Sequence, residues 1–151
     1  MSSEESAALG GLSHLVSFRG SDTVSALVAA RKFYGEKMAG FSIPAAEHST
    51  ITSWGRDQER AAYSNMLRQF GGTGKLVAVV SDSYDLWNAI ENIWGSDLKS
   101  DVEKTGGTLV IRPDSGDPAE TLTNVALLIQ RRFQTDVCSV YLLEPDRTSL
   151  V

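Results

Sequence analysis

An α/β fold, in which repeated β-α units lay down a parallel sheet covered by helices, follows from three features of the sequence. Short continuous apolar runs alternate with apolar stripes at helical spacing from residue 13 onward. Runs without polar alternation belong to strands buried on both faces, as in a parallel sheet. The residues suited to chemistry fall just after those runs, where the carboxyl ends of parallel strands meet ligands.

The elements follow in order. His14-Leu15-Val16-Ser17-Phe18 predicts the first strand, and a helix opens after Asp22-Thr23, carries Val24, Leu27 and Val28 on one face, and stops at Gly35. Phe41 to Ala46 predicts a second strand weakened by Pro44, followed by a helix from Asp57 to Phe70 that ends at Gly71-Gly72. Leu76 to Val80 is wholly apolar, the best candidate for a buried strand, and Leu86, Ile90, Ile93 and Trp94 mark a helix closed by Gly95. Thr108 to Ile111 predicts the fourth strand. Asp117-Pro118-Ala119-Glu120 then supplies an N-cap carboxylate, proline at the first helical position and Glu at the third, ahead of a stripe of Leu122, Val125, Leu128 and Ile129. Val137 to Leu143 is a fifth candidate strand. Two architectures fit this order: an open parallel sheet, and part of a β/α barrel, which normally takes about 250 residues. The length of 151 residues alone favours the open sheet.

Composition narrows the partners. The chain has 14 basic and 19 acidic side chains, a net charge of −5, and the basic residues are scattered rather than striped. Nucleic acid and anionic membranes are therefore not the expected partners. Hydrophobic residues make up 42% and charged residues 22%, which suits a globular domain. Cys138 is the single cysteine, so no internal disulfide can form. Residues 1–12 are acidic and rich in small side chains, lack the features of a targeting peptide, and read as a flexible lead-in. No apolar run approaches the roughly 20 residues of a membrane helix, and a cytoplasmic location is the expectation.

Arg19-Gly20-Ser21-Asp22, Glu47-His48-Ser49-Thr50, Ser81-Asp82-Ser83-Tyr84-Asp85 and Arg112-Pro113-Asp114-Ser115-Gly116-Asp117 follow the four strands. Each group has a plain structural reading as well. Asp22 suits the N-cap of the first helix, one of Ser81, Asp82 and Ser83 suits a cap, Glu47 and His48 suit a solvated loop, and Asp117 is assigned to capping. Arg112 leaves a buried strand end and needs an anion or carboxylate; two readings fit, a structural pair with Asp114 two residues on, or both residues facing a ligand with phosphate and hydroxyl groups. Together the groups suit a polyanionic, hydroxyl-rich substrate accompanied by Mg²⁺, as a sugar phosphate is. Gly71-Gly72-Thr73-Gly74-Lys75 looks like a phosphate loop, yet it precedes a strand instead of opening a helix, and is read as a helix-to-strand turn at the opposite rim.

The strings HLVSFRGSDTV (His14 to Val24), IPAAEHSTITSWG (Ile43 to Gly55), VVSDSYDLWNAIENIWG (Val79 to Gly95) and VIRPDSGDP (Val110 to Pro118) closely resemble the nicotinamide phosphoribosyltransferase family, in that order and spacing. The resemblance covers about residues 13–133. It implies a type II phosphoribosyltransferase fold, an irregular β/α barrel of which residues 13–133 would form about half, with 134–151 a divergent tail, so it reverses the preference for an open sheet. It further implies transfer of phosphoribosyl from phosphoribosyl pyrophosphate to nicotinamide, giving nicotinamide mononucleotide for NAD salvage. ATP would be a coupling co-substrate, Mg²⁺ the metal, and a homodimer the assembly.

By the same resemblance, Asp22 matches the residue that accepts from the nicotinamide carboxamide, and its charge disfavours nicotinate. His48 matches a histidine phosphorylated when ATP hydrolysis is coupled to transfer. Glu47 and Asp82 are similar to residues near that histidine and Mg²⁺. Arg112 matches a substrate-contacting arginine, and Asp114 an aspartate that holds ribose hydroxyls. The alternatives are a nicotinate-selective relative and a non-catalytic remnant that binds ligand or a full-length partner.

Overall fold

The structure is a computed structural model, and it describes residues 3–134. The chain divides between Ile43 and Pro44 into two compact units.

The first unit is a pair of helices, α1 (Glu4–Ser17) and α2 (Val24–Tyr34). Here two expectations are corrected: the lead-in is helical from Glu4, and His14 to Ser17 is the last turn of that helix, not a strand. Local chemistry explains it. The Ser3 hydroxyl accepts from the Ser6 amide at 3.1 Å, and Glu4 and Glu5 sit in the first turn, where the helix dipole favours negative charge. A five-residue apolar run cannot be told from a helical segment by periodicity alone. The helices meet on small residues: Ala26, Ala29 and Ala30 are buried on α2, and a Cβ on Gly11 would come within 2.5 Å of the Ala26 side chain. Gly35, left-handed at φ 69°, ends α2 as expected. A remnant of parallel pairing survives beyond α1, where Gly20 bridges Phe41.

The second unit holds α3 (His48–Thr52), a 3₁₀ turn (Arg56–Gln58), α4 (Glu59–Phe70), β1 (Leu76–Val80), α5 (Leu86–Asn88), a π-helix (Ala89–Asp97), α6 (Lys99–Thr105), β2 (Thr108–Arg112) and α7 (Pro118–Phe133). β1 and β2 pair in parallel, Leu76 opposite Thr108 through Val80 opposite Arg112. The expected second strand is reduced to a bridge of Ala45 to Ala78, with Ala46 N–H donating to Ala78 O and Ala78 N–H to Pro44 O, both at 2.9 Å. Pro44 has no N–H with which to extend that ladder. The α/β class stands, with two named strands among the described residues where the sequence suggested more. The fifth candidate run, Val137 to Leu143, lies outside the described residues.

β1 is buried along all but its first residue, as its apolar run predicts. Against it pack Tyr63, Met66 and Leu67 from α4, and Ile93 and Trp94 from the π-helix. The Trp94 and Tyr63 rings are stacked 4.7 Å apart. The Tyr63 hydroxyl donates to Glu59 Oε1 at 2.9 Å, and the Trp94 indole N–H to Ser81 Oγ at 3.1 Å. The helix expected to close at Gly95 instead runs through it to Asp97, with π-type closure by the Leu98 N–H onto Ile93 O at 2.8 Å. Gly95 is needed for its size: a Cβ would lie 2.7 Å from Ile90 O and 3.0 Å from Arg132 Cγ. The Gly71 to Lys75 segment is the expected helix-to-strand turn. It passes so close to the entry of β2 that a Cβ on Gly107 would meet Gly72 O at 2.3 Å. Asp117 caps α7, its side chain accepting from the Glu120 amide at 2.9 Å.

Glu59 is buried beside this core. Burial raises its pKa above the usual 4.5, opposed by the Tyr63 hydrogen bond and the Arg56 charge. A carboxyl raised on folding contributes stability that is full below its unfolded pKa and is lost as pH rises through the folded one. Glu59→Gln, which keeps an acceptor for Tyr63 but carries no charge, is therefore expected to melt above the parent at pH 7. Thermal melts at pH 4 and pH 7 check this: the difference should shrink toward zero at pH 4, and a constant offset contradicts it.

Candidate active site

The carboxyl ends of β1 and β2 and the start of α3 bring five of the expected residues, Glu47, His48, Asp82, Arg112 and Asp114, together within the second unit. His48 is the first residue of α3, whose entry is fixed by the Glu47 N–H donating to Thr50 Oγ1 at 3.2 Å. Its Nε2 lies 3.3 Å from Asp114 Oδ2 and 3.9 Å from Asp82 Oδ1, and its Nδ1 is 3.0 Å from Ser83 Oγ. Two acceptor oxygens beside Nε2 favour the tautomer protonated there, which assigns the Ser83 hydroxyl as donor to Nδ1.

Asp82 organises the cluster. Its side chain is only 3% exposed, and Oδ2 accepts from the Asp114 amide at 2.8 Å and the Ser115 hydroxyl at 2.6 Å. Its carboxyl is held below the usual value. Burial alone would raise it, but the Ser115 hydroxyl, the Asp114 and Asp82 amides and the nearby His48 outweigh burial. Oδ1 is buried without a hydrogen-bond partner among the described residues.

Of the two readings of Arg112, the structural pair with Asp114 is not found; Arg112 Nη2 reaches Ala46 O at 3.3 Å and Glu47 Oε2 at 3.5 Å. β2 ends at Arg112, and the alternation that would set residues 112 and 114 on one face stops there; the chain turns through Pro113, so Asp114 reaches His48 while Arg112 reaches the segment bridged to β1. Its Nε is buried and unpartnered among the described residues, leaving a cationic donor for an anion.

For a divalent cation the donor set is mixed. Asp82 Oδ1 is an orphaned, anionic oxygen of the kind Mg²⁺ takes, and Mg²⁺ commonly completes its shell with water and substrate phosphates. Glu47 is turned to Arg112. Among the described residues, no group of three or more His, Cys, Asp or Glu forms a protein-only metal cage. Asp82 therefore fits one ligand of a substrate-borne Mg²⁺, and Glu47 fits a clamp on Arg112 better than a metal ligand.

Asp22 belongs to the first unit. The capping reading fails for it: Thr23 occupies the N-cap of α2, without a side-chain cap bond, and Asp22 Oδ1 instead accepts from the Ser42 hydroxyl. Both line an open cleft of about 770 Å³, with His14, Arg19, Phe41 and Ile43 among its walls.

A family model described as the nicotinate phosphoribosyltransferase (NAPRTase) family matches residues 1–146. The chain belongs to that family. Among proteins of the same kind it is 56% identical over 133 residues to a nicotinamide phosphoribosyltransferase of Xanthomonas campestris, covering 88% of this chain and 28% of the relative. It is 33% identical over 129 residues to a nicotinamide phosphoribosyltransferase of Acinetobacter baylyi, covering 81% of this chain and 25% of the relative. A third, of Mycoplasma pneumoniae, is 38% identical over 117 residues, covering 78% and 23%. The chain thus spans about a quarter of the length of these curated relatives of the family.

Within this member of the nicotinate phosphoribosyltransferase family, Ser83, Ser115 and Ser42 bond to the candidate site residues, and none of the three is assigned a site role from the sequence. Ser83 and Ser115 had a visible signal, since each follows a strand by three residues on the same rim. Ser42 had none, because it lies inside a candidate strand and its partner is 20 residues away. No helix described is long and apolar enough to cross a membrane.

Proposed function

We propose that this chain supplies the nicotinamide- and ribose-facing part of a nicotinamide phosphoribosyltransferase, which joins nicotinamide to phosphoribosyl pyrophosphate and releases pyrophosphate. The observation that carries the reading is the placement of His48 against Asp82, Asp114 and Ser83 at the strand ends. Displacing pyrophosphate builds positive charge at the ribose C1, which Asp82 and Asp114 stabilise electrostatically. The pyridine nitrogen is the nucleophile, so positioning replaces general-base chemistry. Asp114 holds ribose hydroxyls, and Arg112, steadied by Glu47, contacts the substrate as a cationic donor. His48 accepts the γ-phosphoryl of ATP, its N–P bond forming as the terminal P–O bond of ATP breaks to leave ADP. Asp82, together with substrate phosphates, would hold Mg²⁺, which would supply positive charge to offset that on the leaving pyrophosphate. A second copy of the chain is the expected partner, and the cytoplasm the expected compartment.

The decisive experiment grafts the matched 133 residues into the Xanthomonas relative and supplies labelled nicotinamide, phosphoribosyl pyrophosphate, ATP and Mg²⁺. Labelled mononucleotide is expected. An inactive but folded chimera, beside an active unaltered relative, would sink the reading.

The family description itself, nicotinate phosphoribosyltransferase, favours a second reading as a nicotinate-selective enzyme. Asp22 separates the two. An amide N–H is attracted to a carboxylate and the nicotinate carboxylate is repelled, so Asp22→Ser in the chimera is expected to shift the nicotinate-to-nicotinamide ratio of kcat/KM upward by roughly tenfold or more. Competition between the two labelled bases measures it, and an unchanged ratio favours the nicotinate reading.

A further inference from the structure

We propose that Ser42 sets the base preference of the first-unit cleft by pinning Asp22, so that one carboxylate oxygen is held and the other is presented to an incoming N–H donor. The inference rests on the reading of Asp22 given above and adds a residue to which neither the motifs nor the relatives point.

Backbone pairing creates the contact. The Phe41 amide donates to Arg19 O at 2.8 Å and the Ser21 amide to Phe41 O at 3.0 Å, which runs the segments 19–22 and 41–43 side by side in parallel. The Ser21 hydroxyl accepts from the Thr23 amide at 3.1 Å and turns the chain into α2. This arrangement sets Asp22 and Ser42 next to each other on the wall of the cleft. Asp22 is thereby a carboxylate at a helix entrance that does no capping, bonded instead to a residue 20 positions away.

The hydroxyl of Ser42 has a single proton. Given to Asp22 Oδ1, it occupies that oxygen and restricts rotation of an otherwise exposed carboxylate. Among the described residues Oδ2 accepts no hydrogen bond. A neutral carboxamide can donate to it; a carboxylate ligand has no proton to give and meets a fixed like charge. The competing acceptor for the Ser42 proton is Ile43 O at 3.2 Å. Ser42 is thus a positioning residue, and its removal should reduce discrimination rather than dismantle the cleft.

The test uses the full 151-residue chain in ligand-observed NMR titrations with nicotinamide and, separately, with nicotinate. Asp22→Ala, Ser42→Ala and Ser42→Thr are compared with the parent, each checked by circular dichroism. The expected result is a nicotinamide affinity about tenfold weaker in Ser42→Ala, an unchanged nicotinate affinity, and recovery in Ser42→Thr, which keeps the hydroxyl. If Asp22→Ala loses nicotinamide while Ser42→Ala binds like the parent, Asp22 works without Ser42 and the inference is overturned alone. Equal weakening toward both ligands in Ser42→Ala also overturns it, since that is a structural effect. If Asp22→Ala matches the parent, or the parent binds no nicotinamide, the reading of Asp22 in this chain falls as well.

Discussion

Trp94→Ala is expected to destabilise the second unit by about 3–5 kcal/mol, the usual cost of emptying a large aromatic site in a core. Trp94 is fully buried, stacks on Tyr63 and donates to Ser81 Oγ, itself inside the protein. The substitution therefore opens a cavity and removes a partner of a buried hydroxyl in one step. Against total stabilities of about 5–15 kcal/mol, that is a large share. Trp94→Phe keeps most of the stack and loses the indole donor, for an expected cost of about 1–2 kcal/mol. Urea unfolding followed by far-ultraviolet circular dichroism measures both. A Trp94→Ala midpoint close to the parent's would contradict the packing described, and so would equal losses in the two variants.

Asp82→Ala carries the largest expected effect on turnover. Its Oδ2 gathers the Asp114 amide and Ser115 hydroxyl, so the loop that sets Asp114 beside His48 loses its anchor, and a charge near the reacting centre disappears with it. In the Xanthomonas chimera kcat is expected to fall roughly 10²–10³-fold, the range seen when a preorganised electrostatic group is removed. On the proposed roles Asp82 acts in the transition state and Asp22 on the base, so KM for nicotinamide should change little. Initial-rate kinetics test this, and a rise in KM at constant kcat would relocate Asp82 to ground-state binding.

The same residue predicts an acid limb. The folded-state pKa of Asp82 is depressed from the usual 3.8, so its contribution to stability is present above that value and lost as pH falls through the folded pKa. In the isolated chain, Asp82→Ala should melt below the parent at pH 7, and the gap should narrow below about pH 4. Thermal melts across that range give the sign, and a gap that widens in acid would contradict it.

The legible parts of the sequence were those in which a residue's role depends on its close neighbours. Asp117-Pro118-Ala119-Glu120 started a helix, Leu76 to Val80 formed the buried strand, and Gly71 to Lys75 turned from helix to strand rather than cradling phosphate. The polar groups after the strands were found in the right place because parallel strands end on one rim, and His48, Asp82 and Asp114 do meet there. Three features differ from the reading of the sequence, for two reasons. His14 to Ser17 and the continuation through Gly95 follow bonding within their own helices, the Ser3 cap that starts α1 and the Leu98 N–H that closes onto Ile93 O, which apolar spacing does not disclose. The pairing of Arg112 depends on Glu47, 65 positions away. An apolar run of five residues is compatible with either strand or helix, and an arginine at a strand end is compatible with any nearby carboxylate.

Local order therefore determined the α/β class, the cap of α7, the rim chemistry and the motifs that match the phosphoribosyltransferase family. Tertiary contact decided which carboxylate serves which partner: Asp82 the 114–115 loop, Asp114 the imidazole, Glu47 the guanidinium, and Asp22 the hydroxyl of Ser42. Hydrogen bonds and ion pairs act over about 3–4 Å, and only the folded chain brings residues dozens of positions apart within that reach.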